Sequence, residues 1–373
     1  MKQIVCMSTS NWHPFPTSKQ HIMSRLPDCE VIYFEPPVTY LSPLKDKTAW
    51  RRFRKIPPHK PMPHVTVYSL PPVLPLYNRF RFINRFNQRK LAKYITKVIK
   101  CHSFSHPLLW TFLPTTADLP LTHSGIIYHC TDRHGAFPGQ INPQIIDSME
   151  RDLCAKSNVV LATTHGLCSR MASFGKAAHY LPNGVDFERF HGIFPAPDDM
   201  VTIPRPILGF SGALQQCINI DLIRHAAASR PDWNFVLVGA ALPGVDISKI
   251  SRLPNVHLLG FRPYADMPNY VNNFDVCLNV FRKNALSHDV SPLKFYEYLA
   301  TGKPIVSTSQ PTQIQSYANM IEIADTPDDF ITACEKAMQT TNNIEARIGA
   351  ARAASWDNRM VTLHAILERE NIF

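Results

Sequence analysis

The sequence predicts an α/β protein made of two doubly wound, Rossmann-like domains. Three observations lead there. The 373 residues exceed what a single hydrophobic core comfortably organises. Short apolar runs alternate with helical patterns twice along the chain. Those runs do not obey a period of two, as expected of parallel strands covered on both faces. An apolar share of 45% against 18% charged residues supplies the cores such a fold needs and argues against disorder.

In the first half, strands are expected at 2–9, 30–35, 64–70, 107–112, 125–131 and 159–163, with helices at 18–26, 78–101, 143–156 and 166–174. In the second half, strands at 207–211, 235–239, 256–260, 275–280, 304–307 and 321–324 alternate with helices at 221–229, 264–273, 291–300 and 327–339. Leu181-Pro182-Asn183-Gly184 marks a boundary, and Pro195, Pro197, Pro204 and Pro206 with Asp198 and Asp199 read as a stiff polar connector. The expected division is a first domain over 1–190, a linker over 191–205 and a second domain over 206–355. Open sheets of this class bind ligands beyond the carboxyl ends of the strands, where strand order reverses. Two facing domains would make a cleft, with donor on one side and acceptor on the other.

Composition narrows the function. No apolar run approaches the roughly eighteen residues of a membrane span, and Ile4 to Met7 is too brief for the apolar part of an export leader. Nine cysteines, none in C-x-x-C spacing, read as reduced thiols of a cytosolic protein, without a zinc site or redox pair. The net charge of +10 is uneven: fifteen Lys and Arg stand against the single acid Asp46 between Lys45 and Lys100. Trp50, Phe53, Phe80, Phe82 and Phe86 are interleaved with those cations. Cations mixed with aromatics suit an anionic membrane surface. A solvated helix face with its phenylalanines packed inward fits the same pattern. No recognisable nucleic-acid module is present.

The stretch from Asp289 to Pro304 is the richest in chemistry. Ser291 suits an N-cap, Pro292 the first helical position, and Gly302 followed by Pro304 a helix end. That register puts Lys294 at the third helical position, where the helix dipole prefers an acid. The conflict vanishes if a phosphate binds the helix N-terminus beside Lys294. Glu297 borders the buried stripe of Leu293, Tyr296 and Ala300 and could accept hydrogen bonds from ribose hydroxyls. An ordinary Lys294–Glu297 surface pair explains the same spacing.

Residues 291–306 resemble the nucleotide-sugar motif of GT-B retaining glycosyltransferases, specifically glycosyltransferase family 4 and its branch of teichuronic-acid and other bacterial surface-polysaccharide enzymes. Asp289 and Glu297 match the family's pair of acids separated by seven residues, although the first is usually Glu. Further resemblance lies in Tyr180 to Asp186, Pro231-Asp232-Trp233, Leu258-Leu259-Gly260 and Trp356-Asp357, the last resembling the start of a C-terminal helix (356–373) that returns to the first domain. The resemblance implies a GT-B fold and a nucleotide-sugar donor. Glu297 would hold the ribose, Asp289 the donor sugar, and Ser291, Pro292, Leu293 and Lys294 the phosphate end. It also implies transfer with retention.

One departure stands out. The family's Arg and Lys after the first strand of the second domain are missing from Ser211 to Gln216. The diphosphate countercharge would then come from Arg282, Lys283 or Lys294, helped by backbone N–H groups at Gly212. In the first domain, the resemblance makes His129 and Asp132, at a strand end, candidates for contact with the transferring sugar, and Ser10, Asn11 and Trp12 candidates for the acceptor. No D-x-D pair occurs, so no metal is expected and no cofactor beyond the nucleotide-sugar itself. The acceptor would be a glycan or a lipid-linked glycan, reached at the inner face of the cytoplasmic membrane. A nucleotide-sugar 2-epimerase and a non-catalytic binding protein remain alternatives on the same fold.

Overall fold

The computed structural model describes every residue except Lys45, Thr48, Lys55, Pro138, Thr341 and Phe373. Two of the cations in the 45–100 segment, Lys45 and Lys55, thus lie outside the described residues. The chain forms two compact units, Met1–Pro182 with Met360–Phe373, and Asn183–Arg359.

Unit 1 contains β1 (Lys2–Met7), β2 (Cys29–Glu35), β3 (His59–Met62), β4 (Val65–Ser69), β5 (Leu108–Thr111), β6 (Gly125–Cys130), β7 (Val159–Ala162) and β8 (His179–Tyr180). They form one sheet in the order β3-β4-β2-β1-β5-β6-β7-β8, parallel except for the β3–β4 pair. Order reverses between β1 and β5. One core face holds Val5, Phe34, Leu109, Tyr128 and Val160 of the strands against Leu91, Ile95, Met149 and Leu153 of the helices Arg81–Cys101 and Pro143–Lys156. Met360, Leu363, Ile366 and Leu367, from the C-terminal segment of this unit, are buried, and Lys2 Nζ donates to the Ile372 carbonyl at 2.8 Å.

Unit 2 contains β9 (Ile207–Ser211), β10 (Asn234–Val238), β11 (Val256–Gly260), β12 (Val276–Asn279), β13 (Ile305–Ser307) and β14 (Glu322–Ile323). Its sheet is parallel throughout, in the order β11-β10-β9-β12-β13-β14. Order reverses between β9 and β12, the place where such sheets bind ligands. One face of the sheet packs on helices Ile220–Ser229 and Pro327–Gln339, the other on Leu293–Thr301. The expected pair of doubly wound α/β units is what the chain forms.

Local chemistry explains the register. Asn142 and Thr326 cap helices Pro143–Lys156 and Pro327–Gln339 with side-chain oxygens, each helix starting on proline. Gly302 ends the helix Leu293–Thr301 at φ +70°, a left-handed conformation that costs a β-carbon residue energy. Gly184 allows a close approach as well: a β-carbon there would sit 2.6 Å from the Ala354 carbonyl oxygen.

Two expectations need correction. The helix drawn at 264–273 is a short 3-10 turn, Tyr264–Asp266, followed by the helix Met267–Val271. The helix drawn at 291–300 begins two residues later, at Leu293. Pro292 is its N-cap, so Lys294 is the second helical residue rather than the third, and no side chain caps the end. Ser291 instead accepts a hydrogen bond through Oγ from the Asn183 N–H at 3.2 Å.

Candidate functional site

The candidate donor side is built in unit 2 around the reversal of strand order. β9 ends on Ser211, whose N–H donates to the Tyr298 hydroxyl at 2.7 Å. Tyr298 belongs to the helix Leu293–Thr301, so this bond ties the strand end to the helix. Beyond it, Gly212 adopts φ +115° and donates its N–H to the Val238 carbonyl at 2.8 Å. Gly239, after β10, leaves no room for a side chain: a β-carbon would lie 2.0 Å from the Gly212 carbonyl oxygen. Two glycines therefore bring the β9 and β10 loops together.

Lys294 projects onto this junction. Its ammonium lies 4.0 Å from the Phe210 ring centroid on β9 and 5.5 Å from Phe281 just after β12. It thus sits at the switch between the two strands. No carboxylate comes within ion-pair distance of it among the described residues. The simple surface pair with Glu297 is not what the chain forms. The two charges still sense each other. Burial pulls Lys294 down to about 8, with Cys217 and Glu297 resisting, and burial pushes Glu297 up to about 7, against the pull of Lys294. The first turn of the helix carries no acid, so nothing on the helix itself neutralises its positive end.

The other cations proposed for the diphosphate are differently placed. Arg282 donates to Asp221 at 2.8 Å, and Lys283 pairs with Asp325 at 2.6 Å. Asp289 is buried, with Oδ1 3.0 Å from His288 Nδ1. Asn183 holds the approach to the helix, donating from its side chain to the Ser291 carbonyl at 2.6 Å. Nothing in the residue pattern singled out Asn183 as a positioning residue. Its role depends on a contact 108 residues away in the chain.

In unit 1, the candidates gather where β1, β5 and β6 end. His129, on β6, is 1% exposed, and neither ring nitrogen has a hydrogen-bond partner among the described residues. Its ring lies 5.0 Å from Phe112, and burial, with the nearby Lys19 charge, drives it down to about 3, so the imidazole is neutral. Asp132 accepts from the Thr131 hydroxyl at 2.9 Å. Sequence reasoning missed Lys19, a buried lysine whose Nζ donates to Thr131 Oγ1 at 3.3 Å and faces the Phe112 ring. Burial lowers its proton affinity, while Asp132 and Cys6 resist.

The three acceptor candidates differ among themselves. Asn11 is exposed and accepts from Arg52, and Trp12 packs its ring edge-on against Tyr33 while its backbone N–H donates to Glu35. Ser10 donates its N–H to Ser8 Oγ.

Glu150 is buried and structural. It accepts from the Tyr128 hydroxyl at 2.5 Å and pairs with Arg170 at 3.2 Å. Cys130 and His134 approach it, bringing three ligand-type atoms within 4.8 Å of one another. The carboxylate there is already engaged on both oxygens.

Residues 205–340 match the family model described as glycosyl transferases group 1. Over 301 residues the chain is 28% identical to TuaH of Bacillus subtilis (strain 168), named for a glycosyltransferase of teichuronic acid biosynthesis, covering 74% of this chain and 76% of that one. Among solved structures, it resembles the sucrose-phosphate synthase of Thermosynechococcus elongatus with a TM-score of 0.72 at 12% identity, covering 99% of both chains. It also resembles Anabaena Alr3699/HepE in complex with UDP-glucose, with a TM-score of 0.69 at 15% identity over 99% of this chain and 100% of that one. The chain thus has the GT-B fold of these structures, and residues 205–340, within its second unit, match the group 1 model.

Proposed function

We propose that this chain transfers a sugar from a nucleoside diphosphate sugar to a glycan or lipid-linked acceptor in surface-polysaccharide synthesis, with retention at the anomeric carbon. The placement of Lys294 is the observation that supports this most: an ammonium with no carboxylate partner among the described residues, held at the strand-order reversal beside Gly212. In the reaction, the bond from the anomeric carbon to the diphosphate oxygen breaks and a bond to an acceptor hydroxyl oxygen forms, that hydroxyl losing its proton. Negative charge grows on the departing diphosphate. Lys294 and the first-turn N–H groups of its helix are the groups available to stabilise it. Arg282 and Lys283 would first have to leave Asp221 and Asp325, so we assign them a lesser part.

Glu297 is the ribose ligand in this reading, and Asp289 is the group proposed to meet donor-sugar hydroxyls. With countercharge supplied by a side chain and helix dipole, transfer needs no bound divalent cation. The UDP complex of the structural relative makes uridine diphosphate and its sugars the first donors to test. TuaH's teichuronic acid assignment points to an acidic surface glycan as the product.

The test is a thermal-shift screen with nucleoside diphosphates and their sugars on wild type, Glu297→Ala and Lys294→Met. Ligand at about a hundred times its dissociation constant stabilises by roughly 2.7 kcal/mol, a shift of several degrees. Loss in both variants is expected. In Lys294→Met the diphosphate should lose more affinity than the free nucleoside. No shift with any nucleotide would overturn the donor reading, and binding without transfer to any acceptor would favour a non-catalytic protein.

A further inference from the structure

The helix Arg81–Cys101 buries Leu91, Ile95, Val98 and Ile99 in its later turns, but its first turns bury polar residues and expose aromatic ones. Asn84, Asn87 and Gln88 are buried, whereas Phe82 and Phe86 are 70% and 57% exposed. The inward packing of the phenylalanines allowed by the sequence is therefore not what the chain adopts. Along the helix, Arg85, Arg89, Lys93, Lys97 and Lys100 share the outward face with the two phenylalanines, and the helix contains no acid. The carboxylates that reach it, Asp118 and Asp152, engage Arg81 and Arg85 near its start. Arg89, Lys93, Lys97 and Lys100 meet no carboxylate within 4.0 Å among the described residues.

This face continues onto the segment between β2 and β3. Lys90, one turn beyond Phe86, donates to the Tyr40 hydroxyl at 2.7 Å and lies 5.0 Å from its ring. Tyr40 packs on Phe53 at 5.8 Å, and Phe53 on Trp50 at 5.3 Å, with Trp50 itself 62% exposed. Beside Phe86, an open hollow of about 820 Å³ is edged by Arg89, Lys93 and Thr96. Exposed aromatic rings strung between unpaired cations are costly in water and are at home where headgroups meet acyl chains. A soluble acidic partner would use the cations and leave the rings wet.

We infer that this face docks unit 1 on an anionic bilayer, with Phe82, Phe86 and Trp50 entering the headgroup layer and Arg89, Lys93 and Lys97 lying against lipid phosphates. It rests on the reading of the acceptor as lipid-linked, and it supplies the means by which such an acceptor is reached without a spanning helix.

The experiment is sedimentation of the full chain with vesicles of phosphatidylcholine alone or with phosphatidylglycerol, over a range of salt. Binding to the anionic vesicles, weakened by salt, is expected. A cation near such a surface is worth roughly a fivefold factor in partition, so Lys93→Gln with Lys97→Gln should lose about 25-fold. Phe82→Ser with Phe86→Ser should also release the protein, and because all four side chains are exposed, both pairs should keep any nucleotide-induced thermal shift. Failure to bind anionic vesicles, or equal binding to neutral ones, would overturn the inference while leaving the donor reading intact. Binding untouched by the phenylalanine pair and abolished by soluble polyglutamate would also overturn it, assigning the face to an acidic polymer.

Discussion

Glu297 and Lys294 share one short helix, and burial drives each toward its neutral form, to about 7 and about 8. The folded protein holds the Glu297 proton more tightly than the unfolded chain does. Ionising that carboxyl therefore costs stability, a cost absent below pH 4.5 and complete above about 7. Lys294 mirrors it: the cost of its charge is complete below about pH 8 and fades toward 10.5. At neutral pH both costs coexist, as expected of groups kept for a ligand rather than for the fold. Glu297→Gln should therefore stabilise the free protein at pH 8, by on the order of 1–2 kcal/mol once partial exposure and the lost attraction to Lys294 are discounted. At pH 4.5 the gain should be close to nothing. Urea denaturation at the two pH values checks this, and equal stability at pH 8 would mean that the carboxylate is already solvated.

At the scale of elements, the loops after β9 and β10 are interdependent. Gly239→Ala would drive a β-carbon into the Gly212 carbonyl at a backbone angle of φ +150°, so the loop beside Lys294 must move. The expected result is a loss of a few kcal/mol in urea denaturation together with loss of nucleotide binding. Retained binding at wild-type affinity would show that the Gly212 loop does not hold the ligand. Such details mark the limit of what the residues reveal on their own. β9 and β11, and the helices begun by Pro143 and Pro327, are legible residue for residue because local signals agree: capping oxygens, proline at the first position, uniform apolar runs. β3 carries Pro61 at an exposed antiparallel edge, and the helix Ile344–Ala353 buries Arg347 and Ala351 in place of an apolar stripe, so neither announces itself. Within the site, Asp289 to Pro304 declared itself by spacing. Lys19 and Asn183 did not, because a buried lysine and a bridging amide acquire meaning only through partners far along the chain.

At the scale of the whole molecule, unit 1 is discontinuous and depends on the far end of the chain. Leu363 and Leu367 are fully buried, and Glu370 pairs with His179 at 3.1 Å. Removing residues 360–373 should destabilise unit 1 selectively and leave the transition of unit 2 near its place. Leu367→Ala alone should cost about 2–5 kcal/mol. Calorimetry resolves this, because selective loss would split one endotherm into two or lower the earlier of two. An unchanged trace after truncation would mean that unit 1 folds without its C-terminal segment.

The helix Arg81–Cys101 has one more consequence, which concerns rotation about its own axis. Hydrophobic burial of Leu91, Ile95, Val98 and Ile99 sets the rotation of its later turns, while at its start Phe82 and Phe86 stay outside. Directional bonds hold the first turns in the same rotation. Asn87 clamps Leu74, accepting from its N–H at 3.0 Å and donating to its carbonyl at 2.9 Å, and Asn84 donates to the Thr115 carbonyl at 2.8 Å. The buried amides act as a keyway that extends to the first turns the orientation apolar packing sets farther along. The greasy face is therefore a fixed posture, and the residues that guard it include polar ones that never touch the outside.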